Sequence, residues 1–149
     1  MFGPQTDSDV DLGTTSTRFK DAFVDSLTVT DDVTITDDLT IGGRAGGPTP
    51  TAVSASSNHL THDLSVNNNF ITTCSAADDI EFTNLAAGQS GNIMFVKSGT
   101  DQPTASAEVA INASALTSLA TAGTYHMTYF VKATSGGNHV LVSVSGALT

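Results

Sequence analysis

The earliest clear pattern in the sequence is a run in which apolar residues alternate with threonine. The run has a period of six residues, and its apolar positions are Leu27, Val29, Val33, Ile35, Leu39 and Ile41. Such alternation, with many β-branched residues, predicts a strand that buries one face. A straight strand would also bury Asp31 and Asp37, which belong to the Asp-Asp pairs after the first two units, and a buried unpaired carboxylate is strongly unfavourable. We therefore expect the chain to bend at each Asp-Asp pair.

The repeat is too short to enclose a core by itself. Repeated β-structures become stable when several units stack, and residues 27–44 provide barely one triangular coil per chain. Three chains wound together supply the missing layers, so we expect an intertwined homotrimer in which the six apolar residues form the trimerisation contact. The alternative is a β-meander with Asp-Asp turns, whose apolar face packs on the C-terminal part of the chain.

The segments on either side of the repeat differ from it in composition. Residues 1–26 are polar and rich in Asp, except for a short stretch in which Phe19 and Phe23 would share one side of a helical turn. That stretch is too short to fold alone, so either the repeat or another protein must cover it. The segment 42–50 contains four glycines and two prolines, a composition that breaks regular structure and predicts a hinge. We therefore divide the chain into residues 1–26, residues 27–47 and a C-terminal domain of residues 48–149.

The C-terminal domain contains short alternating stretches separated by turn residues, as expected for an all-β protein. This pattern predicts a β-sandwich of the jelly-roll type. The apolar run 92–96 predicts a central strand that is covered on both faces. Leu116 and Leu119 predict a brief helical turn that closes one end of the core. The other predicted strands cover residues 69–74, 80–85, 108–111, 125–132 and 139–144.

Composition and charge narrow the range of partners. The 149 residues include 15 acidic and 5 basic side chains, and the formal net charge is −10 at pH 7. This charge disfavours nucleic acid and anionic membranes as partners. The first residues contain neither a basic segment nor an apolar run, so we expect no signal peptide and no transmembrane helix.

Few residues are candidates for chemistry, and we expect neither an enzyme nor a cofactor. The sequence has no Gly-rich phosphate loop, no nucleophile elbow and no Cys/His metal motif. Adjacent carboxylates occur at positions 31 and 32, 37 and 38, and 78 and 79. We expect them to point from turns into water, whereas a glycosidase needs two carboxyl groups across a cleft. Calcium binding is the alternative, because a trimer would repeat these pairs around one axis.

Three further types of side chain, histidine, cysteine and tyrosine, are candidates for sites. His59 and His62 lie three apart and could share a metal in a helix or across a three-fold axis, but without an evident third ligand a polar loop is the simpler expectation. Cys74 is the single cysteine, and we expect a small strand residue rather than a nucleophile. Tyr125 and Tyr129 fall inside or at the edge of a strand, which leaves no evident aromatic platform for glycan.

Two stretches resemble bacteriophage virion proteins of the tail-fibre type. Residues 11–29 contain Asp-Leu-Gly followed by Arg18, Phe19 and hydrophobic residues, similar to a segment that precedes β-structured repeats in many tail-fibre-like proteins. Residues 64–96 are similar to a β domain common in fibre-like proteins of marine and cyanobacterial phages. The Trp residues usual in the later strands of that domain are missing here.

This resemblance implies a trimeric structural protein on the virion surface. Residues 1–26 would attach it to other virion proteins through Arg18, Phe19 and Phe23, and residues 48–149 would face outward. A short tail or neck fibre is the first expectation. A capsid decoration protein (head fibre) is the alternative, favoured by small size, and a module that binds host-surface glycan is a further alternative.

Overall fold

The computed structural model describes residues 14–16, 21–30, 33–43, 46–137 and 139–148. These residues belong to two compact units, Met1–Arg44 and Ala45–Thr149. The division between the units falls within the Gly/Pro-rich segment 42–50.

The described residues of the N-terminal unit form neither a strand nor a helix. The expected strand of the repeat, and the alternative β-meander, are therefore not found in this described part. Instead the backbone bends at Thr30, at Thr36 and Asp37, and at Gly42 and Gly43, so that the bends recur about every six residues. The bend at Asp37 lies at the second Asp-Asp pair, as predicted, whereas the first pair lies outside the described residues.

The C-terminal unit is built from strands, which confirms the all-β class. Its described residues contain one helix, α1 (Ala113–Ser118), and nine strands: β1 (Thr51–Ser54), β2 (His59–Asp63), β3 (Asn69–Cys74), β4 (Asp79–Thr83), β5 (Ser90–Lys97), β6 (Thr104–Ala105), β7 (Val109–Ile111), β8 (Gly123–Val131) and β9 (Val140–Val144). The six strands predicted from the sequence correspond to β3, β4, β5, β7, β8 and β9. The pattern does not predict β1, β2 or β6.

The first six strands alternate between two sheets. β1, β3 and β5 are parallel neighbours in a six-stranded sheet of order β1-β3-β5-β8-β9-β7, and β2, β4 and β6 form a parallel three-stranded sheet. Each successive pair of strands is therefore one turn of a three-turn β-solenoid. The jelly-roll prediction is wrong, because a jelly roll consists of antiparallel Greek keys. Here β1, β3 and β5, and likewise β2, β4 and β6, pair in parallel, and the antiparallel pairs among the described strands are β5–β8 and β8–β9.

The register of the parallel strands gives the length of each turn. Thr51 pairs with Phe70 between β1 and β3, and Asn69 pairs with Asn92 between β3 and β5, so these turns are 19 and 23 residues long. Parallel strands cannot be joined by a tight hairpin, and here the crossing segment carries the strand of the other sheet. Turns of unequal length leave no fixed period in the sequence, which explains why the solenoid is not predicted.

The core lies between the two sheets and is filled by alternate residues of each strand. In the three-stranded sheet Leu60, Ile80 and Phe82 point inward and are at most 3% exposed, and Phe70 and Phe95 are equally buried in the larger sheet. Full burial of such a side chain contributes roughly 1.5–3 kcal/mol. The remaining apolar core residues of the strands are Val53, Cys74, Ile93, Val109, Tyr125, Met127, Tyr129, Val131, Val140 and Val142.

The segment around α1 closes part of the core, as the sequence predicts. Leu119, directly after the helix, is fully buried, and Leu116 packs against the core from within the helix. The hydroxyl oxygen of Tyr125 lies 2.8 Å from the carbonyl oxygens of both Ser118 and Thr121, which share its single proton. These bonds satisfy the buried hydroxyl and fix the helix to β8.

One histidine is part of the core. The ring of His62 stacks on Phe82 with centroids 4.9 Å apart and meets Phe70 edge-on at 5.2 Å. Its Nδ1 donates to the carbonyl oxygen of Glu81 at 3.0 Å, and its Nε2 accepts from the Thr72 hydroxyl at 2.9 Å. Burial lowers the pKa of His62 to about 4. The neutral ring with a proton on Nδ1 therefore has both nitrogens satisfied.

Candidate interaction surfaces

The repeat presents its apolar side chains to solvent in the single chain. All six residues of the predicted trimerisation contact, Leu27, Val29, Val33, Ile35, Leu39 and Ile41, are between 44 and 74% exposed. Of the predicted attachment residues, Phe23 is 95% exposed, whereas Arg18 and Phe19 lie outside the described residues. A regular row of exposed β-branched and leucine side chains is unusual on a folded monomer and typical of a surface that another chain covers.

The outer face of the three-stranded sheet is acidic. Asp79 and Glu81 alternate along β4 on this face, and Asp63 lies at the end of β2. The Thr104 hydroxyl donates to Asp79 Oδ1 at 2.8 Å, and the Thr61 hydroxyl donates to Glu81 Oε2 at 2.8 Å. These bonds hold the carboxylates at the sheet surface and in water. We call this surface the acidic face.

The outer face of the six-stranded sheet has the opposite character, and we call it the neutral face. Within the described strands, none of its outward residues is Asp, Glu, Lys or Arg. These outward residues are Ala52, Ser54, Asn69, Ile71, Thr73, Ser90, Asn92, Met94, Val96, Ala110, Thr124, His126, Thr128, Phe130, Leu141 and Ser143. Lys132, just beyond β8, lies at its rim beside Ala110 and Leu141. The carboxylates of the strands are thus on the acidic face.

Apolar side chains occupy two rows of the neutral face. Ile71 and Met94 are register partners in β3 and β5, and Phe130 and Leu141 are partners in β8 and β9. All four are at least 36% exposed. This corrects the prediction that the strand around residues 92–96 is covered on both faces, since the single chain covers only one. Alternation in the sequence does not predict these residues as a surface, although the apolar run through Met94 is a signal for it.

The structure separates the two histidines and the two adjacent aspartates Asp78 and Asp79 that the sequence singles out. His59 and His62 lie in strand β2 rather than in a polar loop, and a spacing of three places them on opposite faces, the first exposed and the second buried. Asp78 is buried whereas Asp79 is in β4 on the acidic face, so the expectation that both point into water is wrong for Asp78. Among the described residues no three His, Cys, Asp or Glu side chains are placed to share a metal ion.

Cys74 is a buried strand residue, as predicted. Its Sγ lies 3.3 Å from the carbonyl oxygen of Ala76, which also accepts from Lys97 Nζ at 3.0 Å, and 3.6 Å from Asp78 Oδ2. Burial raises the pKa of the Cys74 thiol. A thiol held in its protonated form behind the sheet is a packing group, because nucleophilic cysteines depend on an accessible thiolate.

The two tyrosines are also buried, with at most 3% of each exposed. Neither can serve as a stacking platform for a sugar ring without unfolding of the core. Within the described residues no helix has the length and apolar character needed to cross a membrane. Comparison of the chain with protein families, curated proteins and solved structures finds no match.

Proposed function

We propose that this chain is a non-enzymatic structural protein of a bacteriophage virion, a homotrimer that forms a short tail or neck fibre component. Residues 1–26 attach it to other virion proteins, the repeat joins three chains, and the β-solenoid domain faces outward. The observation that carries the proposal is the exposed apolar row of the repeat. The resemblance of residues 11–29 and 64–96 to phage fibre proteins supports the virion assignment.

The energetics of the exposed row favour association. Burying an aliphatic side chain of this size contributes roughly 1.5–3 kcal/mol, and each chain exposes six of them in the repeat. The backbone bends recur about every six residues, between successive apolar pairs, and a triangular coil formed by three chains can direct all of these pairs toward one axis. A second copy of the repeat offers the same spacing of apolar residues, which makes self-association the best fit.

Paired substitutions in the repeat test the homotrimer. Replacing both Val33 and Ile35 with Asp is expected to dissociate the trimer, because the assembled core would contain six unpaired carboxylates. The matched control replaces Thr34 and Thr36 with Asp, which adds the same charge at the alternate, polar positions. Light scattering should report single chains for the first variant and trimers for the control. A first variant that remains trimeric and folded would contradict the assignment of the repeat.

The location of the protein on the particle tests the fibre assignment. A tail or neck component is expected at a few trimers per virion, whereas a capsid decoration protein, the alternative, would be present in tens to hundreds of copies. Electron microscopy of virions labelled through this chain measures both position and number. Label distributed over the capsid would contradict the fibre assignment and support the capsid decoration protein.

A further inference from the structure

We propose that the neutral face packs against a second copy of this chain, so that the β-solenoid domains of the homotrimer contact one another. The proposal rests on the homotrimer proposed above and adds a second contact, distinct from the repeat. It names the surface through which the C-terminal domains associate, centred on Met94 in β5.

The apolar rows of the neutral face are the first support. Met94 lies in a central strand between β3 and β8, beside Ile71, and 43% of it is exposed. Phe130 and Leu141 form a second exposed pair, 47% and 44% exposed. Residues 92–96 have the near-continuous apolar pattern of a strand covered on both sides. In the single chain the outer cover is missing, and a partner at this face would supply it.

Charge favours another copy of this chain as the partner. The chain has a net charge of −10, so the repulsion between two copies is smallest where the surfaces in contact carry no carboxylates. The neutral face meets this condition, whereas the acidic face would place Asp79 and Glu81 of one copy against those of another. The one titratable side chain within the neutral face is His126, whose Nε2 lies 3.0 Å from Asn92 Oδ1. A nucleic acid or an anionic lipid surface would require cations, and the neutral face has a single one, Lys132, at its rim.

The size of the neutral face suits a small contact between tethered domains. Six strands spaced about 4.8 Å apart make a face roughly 24 Å wide, and about six residues per strand at about 3.3 Å each make it roughly 20 Å high. The projected area is thus about 500 Å², smaller than the ~800 Å² of accessible surface that each partner contributes to a standard interface. The tether provided by the repeat raises the effective concentration of the neighbouring domains, so a contact of this size suffices.

Methionine oxidation in the full-length assembled chain tests the contact. Met94 is exposed in the single chain and Met127 is fully buried in the core, so Met127 is an internal reference. Peroxide treatment followed by peptide mass spectrometry compares the rate of sulfoxide formation in the assembled protein with that in the same chain unfolded in guanidinium. If another copy covers Met94, its oxidation should be slowed at least about tenfold, as for Met127.

The outcomes separate this inference from the proposed function. Slowing of less than tenfold at Met94 in a chain that light scattering shows to be trimeric would overturn the contact and leave the trimer standing. A folded monomer would overturn both. A matched pair of variants gives a second measurement: Met94→Lys should raise the concentration at which the trimer dissociates at least about tenfold, because a lysine charge would be buried in the contact. Thr61→Lys on the acidic face should leave the dissociation concentration unchanged. Equal dissociation concentrations for the two variants would contradict the contact.

Discussion

Replacing Gly91 with alanine is expected to destabilise the β-solenoid domain by at least about 3 kcal/mol, since a backbone atom would have to move. A Cβ at this position would lie 1.7 Å from the carbonyl oxygen of Asn68 and 2.7 Å from the hydroxyl of Tyr129. That carbonyl accepts hydrogen bonds from Tyr129 Oη at 3.0 Å and from the Asn92 amide at 3.2 Å. Displacing this carbonyl group therefore weakens the contacts that join the start of β3 to β5 and β8.

Gly146→Ala is the matched control, because a Cβ there meets no atom within 4 Å. For a domain of about 100 residues the expected loss at Gly91 corresponds to a fall in Tm of roughly 12–24 °C, whereas the control should change little. Thermal unfolding followed by circular dichroism measures both variants. Equal Tm values for Gly91→Ala and the parent chain would show that the loop at Asn68 does not approach β5 in this way.

Acidification is expected to destabilise the domain through His62. Burial lowers its folded-state pKa from 6.5 to about 4, so between these values the unfolded chain takes up a proton that the folded chain does not. The contribution of the neutral ring to the free energy of unfolding is complete above pH 6.5 and falls as the pH falls. The loss amounts to about 3 kcal/mol below pH 4. About 2 kcal/mol of this is lost between pH 7 and pH 5, where most carboxylates are still ionised.

A double variant isolates the contribution of His62. Replacing His62 with Leu alone would leave the buried Thr72 hydroxyl without its partner, so Thr72→Val is made together with it. Denaturant unfolding at pH 7 and pH 5 should show that the parent loses about 2 kcal/mol more than the double variant over this interval. An identical pH dependence in the two proteins would contradict the buried, neutral His62.

Alternation along the chain predicts much of the domain, because a strand with one buried face records that face in its sequence. The buried Tyr125 and Tyr129 of β8 and the core residues of β4 follow from this rule. β1 and β2 were missed because Thr51–Ser54 and His59–Asp63 contain few apolar residues. The pairing of strands was also missed, since parallel neighbours 19 to 23 residues apart are selected by packing between the sheets rather than by a local signal.

The interaction surfaces were predictable to different degrees. The six apolar residues of the repeat are evident from their spacing, and their exposure in the single chain agrees with a role in association. The neutral face is assembled from strands β1, β3, β5, β8, β9 and β7, which are neighbours only in the folded sheet. Its lack of charge is therefore a property of the tertiary structure. Met94 is the exception, because the apolar run around it already indicates a second covered side.

The molar mass of the full-length chain in solution tests the central claim most directly. Light scattering is expected to give three times the 15.2 kDa mass of the single chain, and removal of residues 1–47 should shift the protein toward smaller species by removing the contact formed by the repeat. A folded protein of 15.2 kDa, unchanged in association state when residues 1–47 are removed, would contradict the homotrimer.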